Sequence, residues 1–246
     1  MKNIEQETLS NIVLEHHEVI PALEKYNLDF CCRGNKTLSE ACVEKNISVA
    51  TVAEEMRETK NTATSIKPFT EMTADQLILH ILIYHHFYVK QTIPTIMNML
   101  DKITSKHGPK YPHMFEVYER FIAVKQDLEP HMQKEEQVLF PKIKDIAAIP
   151  VWKETPGLIA SHIVGMIAVM ETEHDIAGQL MYEIRRITSN YTAPEDVCTT
   201  HKVCLETLKA FEADLHQHVH LENNILFPML MNMMNVQLAK QQLKVA

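Results

Sequence analysis

Two copies of one short motif constrain this chain more than any other feature of its sequence. Each copy reads His-x-x-x-Glu and is followed at the same offset by Leu-Phe-Pro; the first starts at His131 and the second at His218. A gap of four residues places His131 and Glu135 on one face of a helix, one turn apart, and does the same for His218 and Glu222. The apolar residues and the proline that follow indicate that this face points into a core and that the helix kinks or ends soon afterwards. Two such helices can bring two imidazoles and two carboxylates to one metal centre.

The composition favours an all-α protein, because the 246 residues include only 5 glycines and many helix-forming side chains. The formal net charge of −8 argues against a general nucleic-acid-binding role. No apolar run approaches the roughly 20 residues that a membrane-spanning helix needs, and the N-terminus has no apolar signal core. The 5 cysteines do not form the paired, spaced pattern of a secreted disulfide framework. We therefore expect a cytoplasmic protein that binds neither nucleic acid nor membrane.

The chain is predicted to divide into two helical units. Residues 1–60 form a small unit of short helices, with a capping box from Thr37 to Glu40 and a loop that contains the adjacent Cys31 and Cys32. A unit of about 55 residues is marginal on its own, so we expect it to pack against the rest of the chain. Residues 61–70 are mostly polar and lack periodicity, which predicts a linker.

Residues 71–240 predict an up-and-down bundle of four long helices. Another capping box, at residues 73–76, opens the first helix. The remaining helices are predicted over about 114–146, over 155–187, and from about 192 onwards. Pro94 and Pro130 predict kinks in the first and second helices.

An internal repeat assigns further candidate ligands. His86 and His174 are 88 residues apart, and His131 and His218 are 87 apart, so each half of the bundle reads as a hairpin with a lone histidine and a His-x-x-x-Glu motif. On the first helix, His86 is favoured over the neighbouring His85, which remains the alternative. The apolar face that His86 is predicted to share comprises Leu79, Leu82, Ile83, Ile93, Met97 and Leu100, whereas His85 aligns with Ile78 and Ile81.

The donor set predicts a pair of metal ions. Burying two carboxylates without a cation would cost on the order of several kcal/mol each. Four imidazoles and two carboxylates exceed what one structural zinc takes, and they suit two iron or manganese ions bridged by the carboxylates. A histidine-rich site carries less negative charge than the carboxylate-rich sites of oxygen-activating enzymes, which favours ligand binding or redox tuning over C–H oxidation. The candidate ligands are His86, His131, Glu135, His174, His218 and Glu222.

These motifs resemble the hemerythrin-like fold, and more closely the iron–sulfur cluster repair di-iron family of the ScdA and YtfE type. Residues 29–34, Asp-Phe-Cys-Cys-Arg-Gly, are similar to the N-terminal double-cysteine segment of that family. Segments 131–141, 170–178 and 221–228 are similar to its bundle signatures, so the resemblance covers nearly the whole chain. It implies a cytoplasmic stress-response protein that helps to restore iron–sulfur clusters damaged by nitric oxide or oxidants.

The resemblance also implies the cofactor and the partners. It implies two non-haem iron ions, with the four histidines as terminal ligands and Glu135 and Glu222 as bridges. Damaged iron–sulfur proteins are the implied partners, and NO or O2 the implied small ligands. Where hemerythrin has a second histidine four residues after the first, this chain has Gly178 after His174, which predicts open coordination positions.

Several alternatives stay open at this stage. Cys31 and Cys32 are expected to contact a damaged cluster, to pass on iron or to control docking; incidental loop cysteines are the alternative. The bundle is alternatively a hemerythrin-like protein that binds or senses O2 or NO, a nitric oxide reductase, or a metal-free bundle. The sequence decides neither whether the protein is an enzyme nor its oligomeric state, for which a homodimer is one candidate.

Overall fold

The computed structural model describes residues 4–31, 34–62, 68–148 and 156–245. Within these ranges the chain is helical and contains no β-strand, apart from one isolated antiparallel bridge between Thr8 and Thr37. The prediction of an all-α fold is therefore confirmed. Among the helices described, none is both long and apolar enough to cross a membrane.

Four short helices form the N-terminal unit. They are α1 (Leu9–Glu15), α2 (Ile20–Lys25), α3 (Leu38–Lys45) and α4 (Val49–Thr62). The predicted capping box opens α3: the Glu40 N–H donates to Thr37 Oγ1 at 3.2 Å, and the Thr37 N–H donates to Glu40 Oε2 at 2.8 Å. Each bond satisfies a backbone donor that a helix start otherwise leaves unpaired.

Four long helices form the bundle, and three of them contain a π-helical turn. The first is α5 (Ala74–His80), π1 (Ile81–His86) and α6 (Phe87–His107). The second is α7 (His113–Lys134), π2 (Glu135–Leu139) and α8 (Phe140–Ala148). The third is α9 (Pro156–Ile187). The fourth is α10 (Thr199–Leu221), π3 (Glu222–Leu226) and α11 (Phe227–Val245).

The prolines do not end the bundle helices. Pro94 and Pro130 lie inside α6 and α7. Pro141 and Pro228 each follow a π turn, and the helix continues beyond them. In a π turn the i→i+5 pattern has already given up the i→i+4 bond that a proline cannot make, so the ring causes little further loss.

The fourth bundle helix starts later than predicted, at Thr199 rather than near Thr192. The intervening chain turns through three successive residues with left-handed backbone, Ser189, Asn190 and Tyr191, whose φ angles are 49°, 60° and 59°. Left-handed residues cannot continue a right-handed helix, and residues 192–198 then form turns and irregular backbone, so the next helix starts only after the extended Cys198.

The predicted apolar face of the first bundle helix is wrong around π1. Leu79 and Ile83 were expected to face the core but are 55% and 52% exposed, whereas Ile78 and Ile81 are fully buried. A π turn contains more residues than an α turn, so the face that points inward changes across it. Beyond π1 the inward face includes Ile93, as expected.

The N-terminal unit shares one continuous hydrophobic core with the bundle. Phe30 is fully buried, and its ring lies edge-on to the ring of His220 in α10, with centroids 5.6 Å apart. His216, four residues earlier on the same helix, binds Glu24 of the unit through Nδ1 at 2.7 Å. These contacts supply the support that a unit of this size requires.

His201 is fully buried in α10, beside the ring of Tyr111. Neither ring nitrogen has a hydrogen-bond partner among the described residues, and burial lowers the pKa of His201. We predict that His201→Leu stabilises the protein by about 1 kcal/mol, because it removes a buried polar group that lacks a partner. Thermal denaturation of the two proteins measures the difference; a lower melting temperature for the variant would show that the imidazole is satisfied in solution.

Candidate metal centre

The six candidate ligands meet in the middle of the bundle. None of them is more than 1% exposed. Their donor atoms form two groups within which all atoms lie within 4.8 Å of one another, and both groups include Glu135 and Glu222. One group is completed by His86 and His218, and the other by His131 and His174.

The spacing within each histidine pair suits a metal ion. The Nε2 atoms of His86 and His218 are 3.1 Å apart, and those of His131 and His174 are 3.0 Å apart. Two nitrogen ligands at right angles, with metal–nitrogen bonds of about 2.1 Å, lie about 3.0 Å apart. The pairs therefore match the positions of neighbouring ligands on one ion.

Each glutamate lies between the two pairs. Glu135 Oε2 is 3.4 Å from His86 Nε2 and 3.3 Å from His131 Nε2. Glu222 Oε1 is 3.1 Å from His218 Nε2, and its Oε2 is 3.0 Å from His174 Nε2. The two oxygens of Glu222 thus each face one pair and Oε2 of Glu135 faces both, so either carboxylate can bridge two metal ions.

The π turns occur where the bundle presents its donors. His86 is the last residue of π1, Glu135 the first of π2 and Glu222 the first of π3. His174 alone among the six lies on a helix without such a turn, α9. A π turn interrupts regular packing and is favoured where a helix must direct a functional side chain.

Burial makes this donor set unstable without a cation. Both carboxylate oxygens of Glu135 are buried without a hydrogen-bond partner in the described structure, and burial raises the pKa of Glu135 well above its ordinary value. Burial also lowers the pKa of His86 and His131 to about 4, so these imidazoles stay neutral and can coordinate. For Glu222, burial opposes ionisation, but His218 and His174 hold its pKa well below the ordinary value. The residues thus fit the binding of positive ions, which would satisfy the Glu135 oxygens.

Three of the imidazoles are also hydrogen-bonded through Nδ1, their second ring nitrogen. His86 Nδ1 contacts Glu136 Oε1 at 2.8 Å, His131 Nδ1 contacts Glu173 Oε2 at 2.9 Å, and His174 Nδ1 contacts the Asn223 side-chain oxygen at 2.8 Å. Such partners fix the ring orientation and raise ligand basicity.

Sequence reasoning missed these three supporting residues. A signal was available, since each is adjacent in sequence to a predicted ligand: Glu136 follows Glu135, Glu173 precedes His174 and Asn223 follows Glu222.

The structure places His86, rather than His85, in the donor groups. His85 is also buried, but its Nδ1 contacts Asp214 Oδ1 at 3.0 Å. Its ring is stacked on that of His218, with centroids 5.6 Å apart and planes 9° from parallel.

Cys31 is buried where the N-terminal unit meets the third bundle helix. Its backbone N–H and its thiol both donate to Asp29 Oδ1, at 3.1 and 3.2 Å. It lines a cavity of about 770 Å³ whose lining also includes Asp175 and Gly178 of α9. Neither donor group of the metal centre contains a cysteine. Cys32, the other member of the predicted pair, lies outside the described residues.

Comparisons with known proteins agree with this architecture. Residues 77–230 match the hemerythrin HHE cation binding domain, and residues 5–60 match ScdA_N, a domain of unknown function. The chain is 31% identical over 220 residues to the iron–sulfur cluster repair protein YtfE of Enterobacter sp. (strain 638), a match that covers 89% of this chain and 94% of that protein. It is 30% identical over 233 residues to a probable iron–sulfur cluster repair protein of Haemophilus influenzae, covering 92% and 97%.

The bundle and its buried histidine–glutamate cluster define a hemerythrin-like cation-binding protein, and this class implies a non-haem iron centre. Within this class, the match over both units shows that the chain belongs to the family of iron–sulfur cluster repair proteins. The recognition made from the motifs is thereby confirmed.

Proposed function

We propose that this protein restores iron–sulfur clusters damaged by nitric oxide or oxidants, through a carboxylate-bridged pair of non-haem iron ions. The observation that carries the proposal is the pair of buried donor groups that share Glu135 and Glu222, in a chain whose relatives are named iron–sulfur cluster repair proteins. The proposed ligands are His86, His131, Glu135, His174, His218 and Glu222.

The donor set supports binding of iron that the protein can also give up. Each group offers two imidazoles and two carboxylates, and no thiolate. Neutral imidazoles add no negative charge, which favours ferrous iron over the ferric state. Bound iron would supply redox chemistry and affinity for NO or O2, and a donor set of this kind leaves coordination positions open.

The location of Cys31 supports a role near the metal centre for the loop that contains Cys31 and Cys32. The preceding residue, Phe30, packs against His220, which lies two residues after the proposed ligand His218. A cluster or an iron ion handled by Cys31 and Cys32 would therefore be close to the helix that carries two of the ligands. We propose that these thiols contact the damaged cluster, pass on iron or control docking.

The double substitution Cys31→Ser, Cys32→Ser is expected to lower the rate of cluster repair at least tenfold while leaving two irons bound. The measurement is recovery of activity by an iron–sulfur dehydratase inactivated with nitric oxide, beside iron analysis of the repair protein. Cys198→Ser is the matched control, because Cys198 is an exposed free cysteine at the start of α10. Repair by the double variant at the wild-type rate would overturn the role of the thiols.

The repair proposal itself is tested with anaerobically purified protein. Two irons per chain, Mössbauer spectra of a coupled pair and accelerated recovery of the damaged dehydratase are expected. Iron content well below two per chain would contradict the di-iron centre, and full iron content without any effect on recovery would contradict repair.

A second candidate function is binding or sensing of O2 or NO without release of iron. The observation that favours it is burial: every proposed ligand is at most 1% exposed, so a diatomic gas reaches the centre more easily than a large molecule. An oxygenated form that lasts minutes, with no effect on cluster recovery, would favour this function. Sustained turnover of NO with an electron donor would instead establish a nitric oxide reductase.

We place this activity in the cytoplasm. Free thiols at Cys42, Cys198 and Cys204 suit a reducing compartment. Fractionation of cells tests this assignment, and light scattering tests whether the protein is a homodimer.

A further inference from the structure

The four proposed imidazole ligands are not equivalently supported. Nδ1 of His86, His131 and His174 each contacts a side-chain oxygen at 2.8–2.9 Å. Nδ1 of His218 is buried and has no hydrogen-bond partner among the described residues. One of the two donor groups therefore contains a histidine whose ring is fixed only by packing and by its Nε2 contacts.

The internal repeat shows which position should have supported His218. An offset of 87 residues relates Glu136 to Asn223, and these two residues support His86 and His174 in the same way. An offset of 88 residues relates His85 to Glu173, the residue that supports His131. By this symmetry residue 85 should support His218, and it is a histidine where its counterpart is a glutamate.

His85 does not take over the role of that glutamate. Its ring lies against the face of the His218 ring, with planes 9° from parallel, so it packs against the ring without approaching Nδ1 in the ring plane. Its own Nδ1 engages the carboxylate of Asp214 at 3.0 Å. Residue 85 lies in π1, whereas Glu173 lies in the regular helix α9.

We propose that the metal ion held by His86 and His218 is bound more weakly than the ion held by His131 and His174 and is released first. The proposal rests on the proposed di-iron function and deepens it, because it assigns the labile iron to one donor group. Loss of a supporting partner behind a histidine ligand lowers metal affinity about 10–100-fold. A difference of similar size is expected between the release rates of the two ions.

The first experiment uses the wild-type protein loaded with two ferrous ions and mixed with an excess of a bipyridyl chelator. Iron release is expected in two phases of one ion per chain, with rates that differ about 10–100-fold. Protein stopped after the first phase is then crystallised, and anomalous diffraction at the iron edge locates the remaining ion. It should lie between His131 and His174.

Two variants test the cause. His85→Gln places at residue 85 a side chain as long as Glu173, which can accept from His218 Nδ1 and donate to Asp214; it is expected to slow the fast phase about tenfold. Glu173→Ala removes the support of His131 and is expected to speed the slow phase 10–100-fold, so that the two phases merge. His85→Phe is the matched control: it keeps the stacked ring, supplies no acceptor and should leave the fast phase no slower than in the wild type.

The outcomes separate this inference from the proposed function. Release of both ions in one phase, or a remaining ion between His86 and His218, would overturn the inference while leaving the di-iron centre in place. A protein that never binds two ions would instead overturn the proposed function.

Discussion

Glu135→Ala is expected to reduce the iron content from two ions per chain to one or fewer and to abolish cluster repair. Glu135 belongs to both donor groups, and its Oε2 lies within 3.4 Å of a histidine Nε2 atom in each. On the proposed assignment, removing it would take one ligand from each ion and the bridge between them. Iron analysis and Mössbauer spectra of the variant measure both effects.

The matched control is Glu129→Ala, which removes an exposed glutamate from the same bundle helix. It should keep two irons and the wild-type rate of repair. A Glu135→Ala protein that retains two ions with a coupled Mössbauer spectrum would exclude Glu135 as a bridge.

The conservative substitution Glu135→Gln is expected to have opposite effects on the metal-free and iron-loaded proteins. Without metal, burial raises the pKa of Glu135 well above 4.5, its ordinary value. A carboxyl group of this kind costs nothing below pH 4.5 and destabilises the folded state increasingly as the pH rises towards its folded pKa. Glutamine removes that cost, so the metal-free variant should be more stable than the metal-free wild type, and the difference should grow from pH 5.5 to pH 8.

The gain is expected to grow by up to about 1.4 kcal/mol for each pH unit, or roughly 2–4 °C per kcal/mol in melting temperature. With iron bound the order should reverse, because the wild type binds the metal more tightly and binding stabilises the folded state. Scanning calorimetry of the wild type and the variant, without and with iron, measures which protein is more stable in each state. A metal-free variant less stable than the metal-free wild type at pH 8 would contradict the account of Glu135.

The helical character of the chain and the grouping of the candidate ligands could be predicted from the sequence, for simple physical reasons. A gap of four residues fixes the relative direction of two side chains on a helix, whatever the rest of the fold does. The repeat offset then related His86 to His174 without any knowledge of packing. The structure brings all six candidates together, although their assignment as ligands remains a prediction.

The phase of the first bundle helix could not be predicted from periodicity. The face through Leu79 and Ile83 would have been correct for an unbroken α-helix, but π1 shifts the inward face by the time the chain reaches His86. His86 was therefore favoured on a face that the structure contradicts, and the choice depended in the end on its repeat partner. A π turn cannot be recognised from the amino-acid composition, because it forms where a helix must direct a functional side chain and does not follow from the helix preferences of single residues.

Tertiary packing explains the other differences. The burial of the polar His201 depends on the neighbouring Tyr111, which is distant in sequence. The left-handed turn at residues 189–191 contains no glycine, the usual signal for such a backbone, and the non-helical residues 192–198 that follow it delay the fourth bundle helix.

The carboxylates of Glu136 and Glu173, which contact Nδ1 of His86 and His131, affect how charge at the proposed metal centre is balanced. Glu136 is also bound by Lys90 and Glu173 by Lys134, and both lysines are about half-exposed. Each carboxylate is thus shared between a buried imidazole and a cation at the surface. When the positive charge at the centre increases, the lysines can swing into water and leave the full negative charge of the two carboxylates to the imidazoles. These two carboxylates can therefore balance a change in charge at the centre without any movement of the helices that hold the ligands.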